Sequence, residues 1–271
     1  MPELPEVETT LQAIKPVLEG CIIKTVTIRQ PKLRWPISPE LPAHIAGQTV
    51  KRCWRRSKYI ICEYAHGAWI LHLGMSGNLT IWPQATPLRK HDHVVFHLQK
   101  HQIHFNDVRR FGSLFWQPHP VLAHKLLAQL GPEPLSDDFN VAYVLQATSK
   151  RSIAIKNWLM NAQCVVGVGN IYASEALFEA KIHPLKPASS LNAHQIERLV
   201  VAVKQVLTKA IRAGGTTLRD FYQPDKQTGY FQQALKVYGR TGCACYDCQA
   251  KIVRMVIGQR SSFYCENCQQ Q

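Results

Sequence analysis

The chain has 271 residues, with 32 lysines and arginines against 18 aspartates and glutamates, so its formal net charge at pH 7 is +14. Hydrophobic residues make up 46% of the chain, a proportion typical of globular proteins that excludes a disordered polypeptide. No apolar run reaches the roughly 18 residues that a membrane helix needs. Both halves of the chain are positively charged, which favours nucleic acid as the partner; a basic protein without such a partner is the alternative.

The first predicted element is a helix over Pro5–Leu18. Its apolar residues recur at helical spacing, and a proline and several glutamates suit its first turn. Short β-branched and aromatic runs follow, separated by turns such as Gly74–Gly77. We expect strands at Ile22–Ile28, Tyr59–Tyr64, Ala68–Leu73, His93–Leu98, Gln102–Phe105 and Ser113–Trp116. Strands at this spacing are typical of a β-sandwich or a flattened barrel.

The proline-rich, acidic segment Gly131–Asp138 is the predicted domain boundary, because it suits neither a strand nor a helix. Beyond it the pattern predicts helices. One spans Ile171–Ala180, directly after the glycine-rich turn Gly167–Asn170. The clearest helix of the sequence spans Leu191–Gly215, with Asn192 as its cap. Together the two helices indicate a helix–turn–helix-like unit.

Four cysteines near the C-terminus have the spacing of a metal site. Two Cys-x-x-Cys pairs stand sixteen residues apart and contribute Cys245, Cys248, Cys265 and Cys268. Four thiolates in this pattern predict one structural zinc ion, since they leave no open coordination position; free thiols or a redox pair are the alternative.

The N-terminus lacks a secretory signal, so we expect a cytoplasmic protein with reduced cysteines. Core packing is predicted for Cys21, Cys53, Cys62 and Cys164.

Two segments carry residues suited to binding DNA. Lys51–Tyr59 holds five cations with interleaved aromatic rings, which is typical of a phosphate-binding surface, although a solvated strand end has the same composition. Arg89–His93 contains two histidines. The sequence places no third ligand near them with certainty, so phosphate contact is a more economical interpretation than a metal site.

The N-terminal residues suggest covalent chemistry. Removal of Met1 would expose Pro2 as a secondary amine, which can attack an aldehyde-like sugar carbon to form an iminium. Glu3 and Glu6 would lie near that nitrogen for proton transfer. A proline and glutamates that merely begin a helix are the alternative explanation.

A series of motifs extends in order over essentially the whole chain. The first is Met1–Glu8, and the last is Gln259–Tyr264 within the cysteine-rich segment. Between them lie Leu33–Pro36, His72–Gly77, Lys90–His93, Arg109–Gly112, Gly131–Asn140, Val165–Glu175, Gly214–Phe221, Gly229–Gln233 and Val237–Arg240. Together these segments resemble the formamidopyrimidine-DNA glycosylase (Fpg, or MutM) family of bacterial base-excision repair.

The resemblance implies an α+β fold: an N-terminal helix plus β-sandwich, then a C-terminal helix–two-turn–helix domain and a four-cysteine zinc finger. The implied domains are 1–131 (catalytic), 132–150 (linker), 151–236 (helix–two-turn–helix with a lesion-covering loop) and 237–271 (zinc finger). It also implies a monomer in the bacterial cytoplasm that binds damaged double-stranded DNA between its lobes.

The activity implied by the resemblance is that of a bifunctional DNA glycosylase and AP lyase for 8-oxoguanine and formamidopyrimidines opposite cytosine. By the resemblance, Pro2 attacks C1′ of the damaged nucleotide, and Glu3, supported by Glu6, moves the protons that open the sugar. Successive β- and δ-elimination follow, with Lys58 as a proton donor and Arg260 at the phosphate in the last step.

Roles in DNA binding are implied in the same way. Met75, Arg109 and Phe111 match the side chains that enter the duplex when the damaged base leaves the stack, with Arg109 facing the orphaned cytosine. The other DNA-binding positions, chiefly phosphate contacts, are His72, His91, Arg151, Lys156 and Asn170. The loop at roughly Thr216–Tyr238 matches the loop that covers the flipped base.

Two alternatives stay open at the level of sequence. An endonuclease VIII-like enzyme would act on oxidised pyrimidines, although Leu4-Pro5 favours the purine branch. A lesion-binding protein without catalysis would result if Met1 were retained, because an acylated Pro2 nitrogen is not a nucleophile.

Overall fold

The computed structural model describes residues 2–215 and 235–270, which fall into two compact units. Within the described residues, the first unit contains 2–128 and 213–215, and the second contains 129–212 and 235–270. The first unit is rich in strands, whereas the second combines helices with a β-hairpin. This composition confirms the predicted α+β class.

Two antiparallel sheets and two α-helices build the described part of the first unit. The helices are α1 (Leu4–Leu18) and α2 (Leu41–Ile45). The strands are β1 (Thr25–Ile28), β2 (Arg52–Arg56), β3 (Tyr59–Glu63), β4 (Gly67–His72), β5 (Asn78–Pro83), β6 (Asp92–His97), β7 (His101–Asn106) and β8 (Ser113–Pro118). One sheet has the order β1-β6-β7-β5, and the other has the order β2-β3-β4-β8.

A single apolar core joins both sheets to α1. Val7, Leu11 and Ile14 recur on one face of α1, and all are buried in the same cluster as residues of both sheets. Within this cluster the rings of Trp69 on β4 and Phe96 on β6 stack with centroids 5.3 Å apart. Contact between the inner faces of the two sheets confirms the predicted sandwich.

Two strands are absent from the sequence prediction. β2 contains three arginines and buries only Cys53, whereas β5 buries the adjacent residues Leu79 and Thr80, so neither strand buries every second residue as a half-buried strand does. Each forms through pairing with a better-defined neighbour, β3 or β7. The predicted strand from Ile22 begins later, at Thr25.

The prediction that the cysteines are reduced is wrong for one pair, Cys53 and Cys62. Cys53 on β2 lies opposite Cys62 on β3, and the structure joins the two as a cross-strand disulfide rather than as separate thiols. Both side chains are buried, so their placement in the core is confirmed.

The second unit contains helices α3 (Val141–Thr148), α4 (Ile155–Met160), α5 (Asn170–Glu179) and α6 (Ala193–Arg212). A hairpin of β9 (Ile252–Ile257) and β10 (Arg260–Cys265) follows. The structure confirms α5, α6 and the predicted cap of α6: Asn192 Oδ1 accepts from the Gln195 N–H at 2.9 Å, and Gln195 Oε1 accepts from the Asn192 N–H at 3.1 Å.

The helices α3 and α4 are not predicted from the sequence. Each is too short to display a clear helical period, and α3 lies within the segment 132–150 that was expected to be a linker. The side chain of Asn140 caps α3 by accepting a hydrogen bond from the Tyr143 N–H at 2.9 Å.

Candidate functional site

Pro2, Glu3 and Glu6 lie at the start of α1, and all three are buried. Glu3 is the N-cap residue and forms a reciprocal capping box with Glu6, whose Oε2 accepts from the Glu3 N–H at 2.8 Å. Gly215, with a φ of +81°, packs against this pair, because a Cβ there would lie 3.0 Å from Glu6 Oε1. The backbone therefore holds two carboxylates in fixed positions next to Pro2.

Lys58 lies in the turn between β2 and β3, and an ion pair ties that turn to α1. Glu8 Oε2 accepts from Arg55 Nε at 2.6 Å, and Arg55 Nη1 donates to Ser57 O at 3.0 Å. Only 10% of the Arg55 side chain and 21% of the Glu8 side chain are exposed, so solvent screens the pair weakly. Helix α1, which begins two residues after Pro2, and the turn that holds Lys58 are thus joined by a largely buried tether, the Glu8–Arg55 ion pair.

His72, at the end of β4, is a neutral hydrogen-bond donor. Burial, followed by the positive charges of Lys58 and Arg34, lowers the pKa of its imidazole to about 4. His72 Nδ1 accepts from the Gly74 N–H at 3.0 Å, so the ring proton is on Nε2. Arg34 was not among the predicted site residues, and its electrostatic effect on both His72 and Tyr59 places its charge in this cluster.

The neutral state of His72 has a measurable consequence for DNA binding. We expect His72→Ala to weaken binding while leaving the slope of log affinity against log salt unchanged, because a neutral donor displaces no counterion. Lys58→Ala should instead reduce the magnitude of that slope by about 0.9, the value for one phosphate contact by a cation. Fluorescence anisotropy at several salt concentrations and neutral pH measures both slopes. A smaller slope for the His72 variant would show that the imidazole is charged when DNA is bound.

The side chains predicted to enter the duplex lie on two turns of the first unit. Met75 is half-buried between β4 and β5, whereas Arg109 and Phe111 are exposed between β7 and β8. Arg109 Cζ lies 4.8 Å from the centroid of the Phe111 ring, a cation–π pair. An apolar side chain and a cationic aromatic pair are suited to inserting between bases.

His91 is the accessible member of the histidine pair. It is half-buried just before β6, and its ring lies edge-on to that of His93, with centroids 6.0 Å apart. His93 is buried, and its Nε2 is 2.8 Å from Asp107 O. The bonded and buried His93 does not present a nitrogen to a metal together with His91, so phosphate contact stays the prediction for His91.

A buried histidine–aspartate contact that the sequence did not reveal supports this segment. His104 Nδ1 donates to Asp92 Oδ2 at 2.9 Å, and His104 Nε2 faces Gln102 Oε1 at 2.8 Å. Burial alone would raise the pKa of Asp92, but hydrogen bonds from His104 and Arg89 hold it well below its usual range.

In the second unit, Lys156 of α4 does not offer the direct phosphate contact that the resemblance implies. None of the residue is exposed, and its Nζ donates to Asn170 Oδ1 at 2.6 Å and to Ser262 Oγ at 2.5 Å. Ser261 O accepts from Lys156 Nζ at 3.3 Å and from Asn170 Nδ2 at 2.9 Å. The buried ammonium therefore orients Asn170 and the first residues of β10, next to Arg260.

This arrangement makes Lys156 important for stability. We expect Lys156→Met to lower the free energy of unfolding by about 3 kcal/mol, because the oxygen atoms that surround the ammonium lose their donor. Lys150→Met, at an exposed position, should change it by less than about 0.5 kcal/mol. Urea denaturation of both variants measures the difference. Equal stabilities would show that the buried contacts contribute little.

The remaining predicted residues of the second unit lie at or near the surface. Arg151 and Arg260 are exposed, and Asn170 is half-buried in the first turn of α5, directly after its N-cap residue Gly169. The hairpin tip packs closely on α4, since a Cβ at Gly258 would lie 2.6 Å from the Asn157 side-chain oxygen. Close packing at the tip limits the movement of Arg260.

Glu175 is a structural anchor that sequence reasoning missed. Its carboxylate accepts from the N–H groups of Lys236, Val237 and Tyr238 at 2.8, 3.0 and 2.8 Å. Burial raises the pKa of Glu175, although these hydrogen bonds oppose the change. The available signal was an acidic residue in the middle of a largely apolar helix. The contacts hold the chain directly after residue 235.

The four predicted metal ligands come together at the base of the β9–β10 hairpin. The Sγ atoms of Cys245, Cys248, Cys265 and Cys268 all lie within 4.8 Å of one another. The Cys248–Cys265 and Cys245–Cys268 sulfur pairs are 3.4 and 3.9 Å apart. A tetrahedron of thiolates around zinc has an edge of about 3.8 Å. The cluster fits a four-coordinate metal ion, and it is the only such group in residues 2–215 and 235–270.

Two predictions lie outside the described residues. They concern Met1 and most of the loop Thr216–Tyr238, including Gly229–Phe231. Across the part of the chain that is described, no helix has both the length and the apolar character needed to cross a membrane.

Two models of known protein families match this chain, one in each part of the sequence. The model of the formamidopyrimidine-DNA glycosylase N-terminal domain matches residues 1–114, and the model of the H2TH domain of the same enzymes matches residues 130–222. A formamidopyrimidine-DNA glycosylase from Thioalkalivibrio sulfidiphilus is 49% identical over 270 residues, covering 99% of this chain and 100% of the relative.

Solved structures agree with the sequence relatives. A mutant of Lactococcus lactis Fpg in complex with a Fapy-dG containing DNA matches with a TM-score of 0.93 at 34% identity, covering 100% of both chains. A structure of MutM in complex with carbocyclic 8-oxo-G containing DNA matches with a TM-score of 0.91 at 33% identity, again over 100% of both chains. The chain therefore belongs to the formamidopyrimidine-DNA glycosylase family, whose members act on damaged DNA as glycosylases and AP lyases.

Proposed function

We propose that this enzyme excises oxidised purines, chiefly 8-oxoguanine and formamidopyrimidines, from duplex DNA opposite cytosine and then cleaves the strand by β,δ-elimination. The observation that carries the proposal is the buried start of α1, where the capping box holds Glu3 and Glu6 next to Pro2. The substrate class is supported by relatives whose structures contain Fapy-dG and 8-oxo-G DNA. We propose further that it acts as a monomer in the bacterial cytoplasm.

Base removal begins at the N-terminus once Met1 has been removed. The Pro2 nitrogen donates its lone pair to C1′ while the bond from C1′ to the damaged base breaks, and the base leaves with the proton that the attacking amine gives up. Glu3 then protonates the sugar ring oxygen, so that the ring opens and a C1′=N iminium forms. Glu6 bonds the Glu3 backbone and acts as a positioning residue for this step.

The iminium withdraws electrons and makes strand cleavage feasible. Loss of a C2′ proton expels the 3′-phosphate, and loss of a C4′ proton then expels the 5′-phosphate. Lys58, which the Glu8–Arg55 tether connects to α1, donates a proton during elimination, and Arg260 binds the phosphate that departs in the last step. Hydrolysis of the remaining iminium returns the free Pro2 amine.

Residues of both units bind the DNA. Arg151, His91 and Asn170 contact phosphates, with His72 as a neutral donor and Lys156 acting through Asn170. In the first unit, Met75, Arg109 and Phe111 fill the space that the extruded nucleotide leaves, and Arg109 faces the orphaned cytosine.

The metal is zinc in this proposal. Four thiolates provide the soft donor set that zinc prefers, and their full occupation of a tetrahedron gives the ion a structural role. The ligands flank the hairpin whose second strand begins with Arg260, so the ion stabilises the position of a DNA-binding residue.

The test uses a duplex with one 8-oxoguanine opposite cytosine, incubated with the enzyme in the presence of borohydride. We expect a covalent product whose N-terminal peptide carries the reduced sugar on Pro2, as mapped by mass spectrometry. The matched duplex with guanine should give none. A crosslink at a lysine would overturn the role of Pro2, and tight binding without a crosslink would favour a lesion-binding protein. A higher yield from a thymine glycol duplex would favour an enzyme for oxidised pyrimidines.

A further inference from the structure

The turn with Met75 and the turn with Arg109 and Phe111 are packed directly on each other. Gly74 has a φ of +68°, and a Cβ there would lie 2.4 Å from the backbone nitrogen of Gly112. No side chain other than that of glycine fits between the turns. The two turns, residues 73–77 and 107–112, form one surface that we call the wedge platform.

A single buried carboxylate connects the two halves of the wedge platform. Asp107 is fully buried; its Oδ1 accepts from Ser76 Oγ at 2.6 Å, and its Oδ2 accepts from the Gly112 N–H at 2.7 Å. Ser76 belongs to the Met75 turn, whereas Gly112 directly follows Phe111. The two carboxylate oxygens of Asp107 therefore accept hydrogen bonds from two different turns.

Ser76 extends this connection to the arginine. Its hydroxyl donates its only proton to Asp107 and accepts from the Arg109 N–H at 3.1 Å. Ser76 is 5% exposed, so water does not readily replace these bonds. The backbone on both sides of Val108–Arg110 is thereby fixed while the side chains of Arg109 and Phe111 project into solvent.

We propose that Asp107, acting through Ser76 and Gly112, is the positioning residue that holds Met75, Arg109 and Phe111 in register for insertion into the duplex. This inference rests on the proposed function, in which those side chains replace the extruded nucleotide. A fixed platform lets them enter together, because the ordering of both turns is complete before DNA binds.

The chemistry of the contacts requires a carboxylate. Asp107 offers two acceptor oxygens to two donors, whereas asparagine of the same shape offers one acceptor and one N–H group. In Asp107→Asn the amide nitrogen would face either the Gly112 N–H, a donor against a donor, or Ser76, whose hydroxyl proton would then lose its buried acceptor. One turn is therefore released while the volume of the side chain is retained.

The experiment compares two substrates in single-turnover reactions. A duplex with 8-oxoguanine opposite cytosine requires extrusion of a stacked base, whereas a duplex with a preformed abasic site does not. We expect Asp107→Asn to slow excision of 8-oxoguanine by about 10²-fold, with cleavage of the abasic site changed less than about threefold. Ser76→Ala, a milder change, should show the same selectivity. Fluorescence of 2-aminopurine beside the lesion should report slower extrusion in both variants.

Asp138→Asn, a change of an exposed carboxylate, is the matched control and should react like the unaltered enzyme on both substrates. Equal losses on the two substrates, or no loss on either, would overturn the role of Asp107. If the unaltered enzyme cleaved abasic DNA but left 8-oxoguanine intact, the proposed substrate would be wrong instead. The two failures are therefore distinguishable.

Discussion

Enzyme that retains Met1 is expected to excise 8-oxoguanine at least about 10³-fold more slowly than the same chain beginning at Pro2. In the retained form the Pro2 nitrogen belongs to a tertiary amide, whose lone pair is delocalised into the carbonyl group. It then forms no bond to C1′, so the iminium on which strand cleavage depends does not arise. Inhibition of methionine aminopeptidase during expression provides the retained form, and intact mass distinguishes it from the processed one.

Binding provides the control for this comparison. Both forms should bind a duplex with a tetrahydrofuran abasic analogue, because phosphate contacts and the wedge platform lie elsewhere in the chain. Borohydride trapping with 8-oxoguanine DNA should be lost only in the form with Met1. Equal trapping in the two forms would place the nucleophile at another amine.

The second large effect concerns the four-cysteine cluster. We expect Cys248→Ser to lose its bound ion and to bind lesion duplex at least tenfold more weakly, a change of about 1.4 kcal/mol. Few apolar residues support the hairpin, chiefly Phe178, Val237 and Ile252 packed with the ligand cysteines, so its folding depends on the ion. Loss of the hairpin would remove Arg260 from the phosphate that we propose it binds.

Cys243→Ser is the matched control, because Cys243 is an exposed thiol outside the cluster. Its metal content and affinity should equal those of the unaltered enzyme. Elemental mass spectrometry measures the ion, and anisotropy at fixed salt measures the affinity. A Cys248 variant that keeps full affinity without metal would show that the hairpin contributes nothing to DNA binding.

Features with a local signature were readable from the sequence. The periodicity of α1 and α6, the cap of α6 and the four-cysteine spacing depend on residues that are close in the chain. Motifs along the whole chain identified the family, which the comparisons confirm. Weak elements were missed: β2 is too basic to resemble a strand, and α3 and α4 are too short to show a helical period.

The sequence by itself thus determined the α+β class and the four-cysteine cluster, because residue types at short, regular spacings encode them. It determined the family through motifs that extend over the whole chain. Only the tertiary structure decided that Lys156 is a buried anchor for Asn170 and Ser261 rather than a surface cation, and that Asp107 joins Ser76 to Gly112. Lys156 and Ser261 are 105 positions apart in the chain. Contacts at such separations depend on how helices and strands pack. A lysine that packing buries must hydrogen-bond to nearby oxygen atoms, and it then holds those atoms in place instead of facing solvent.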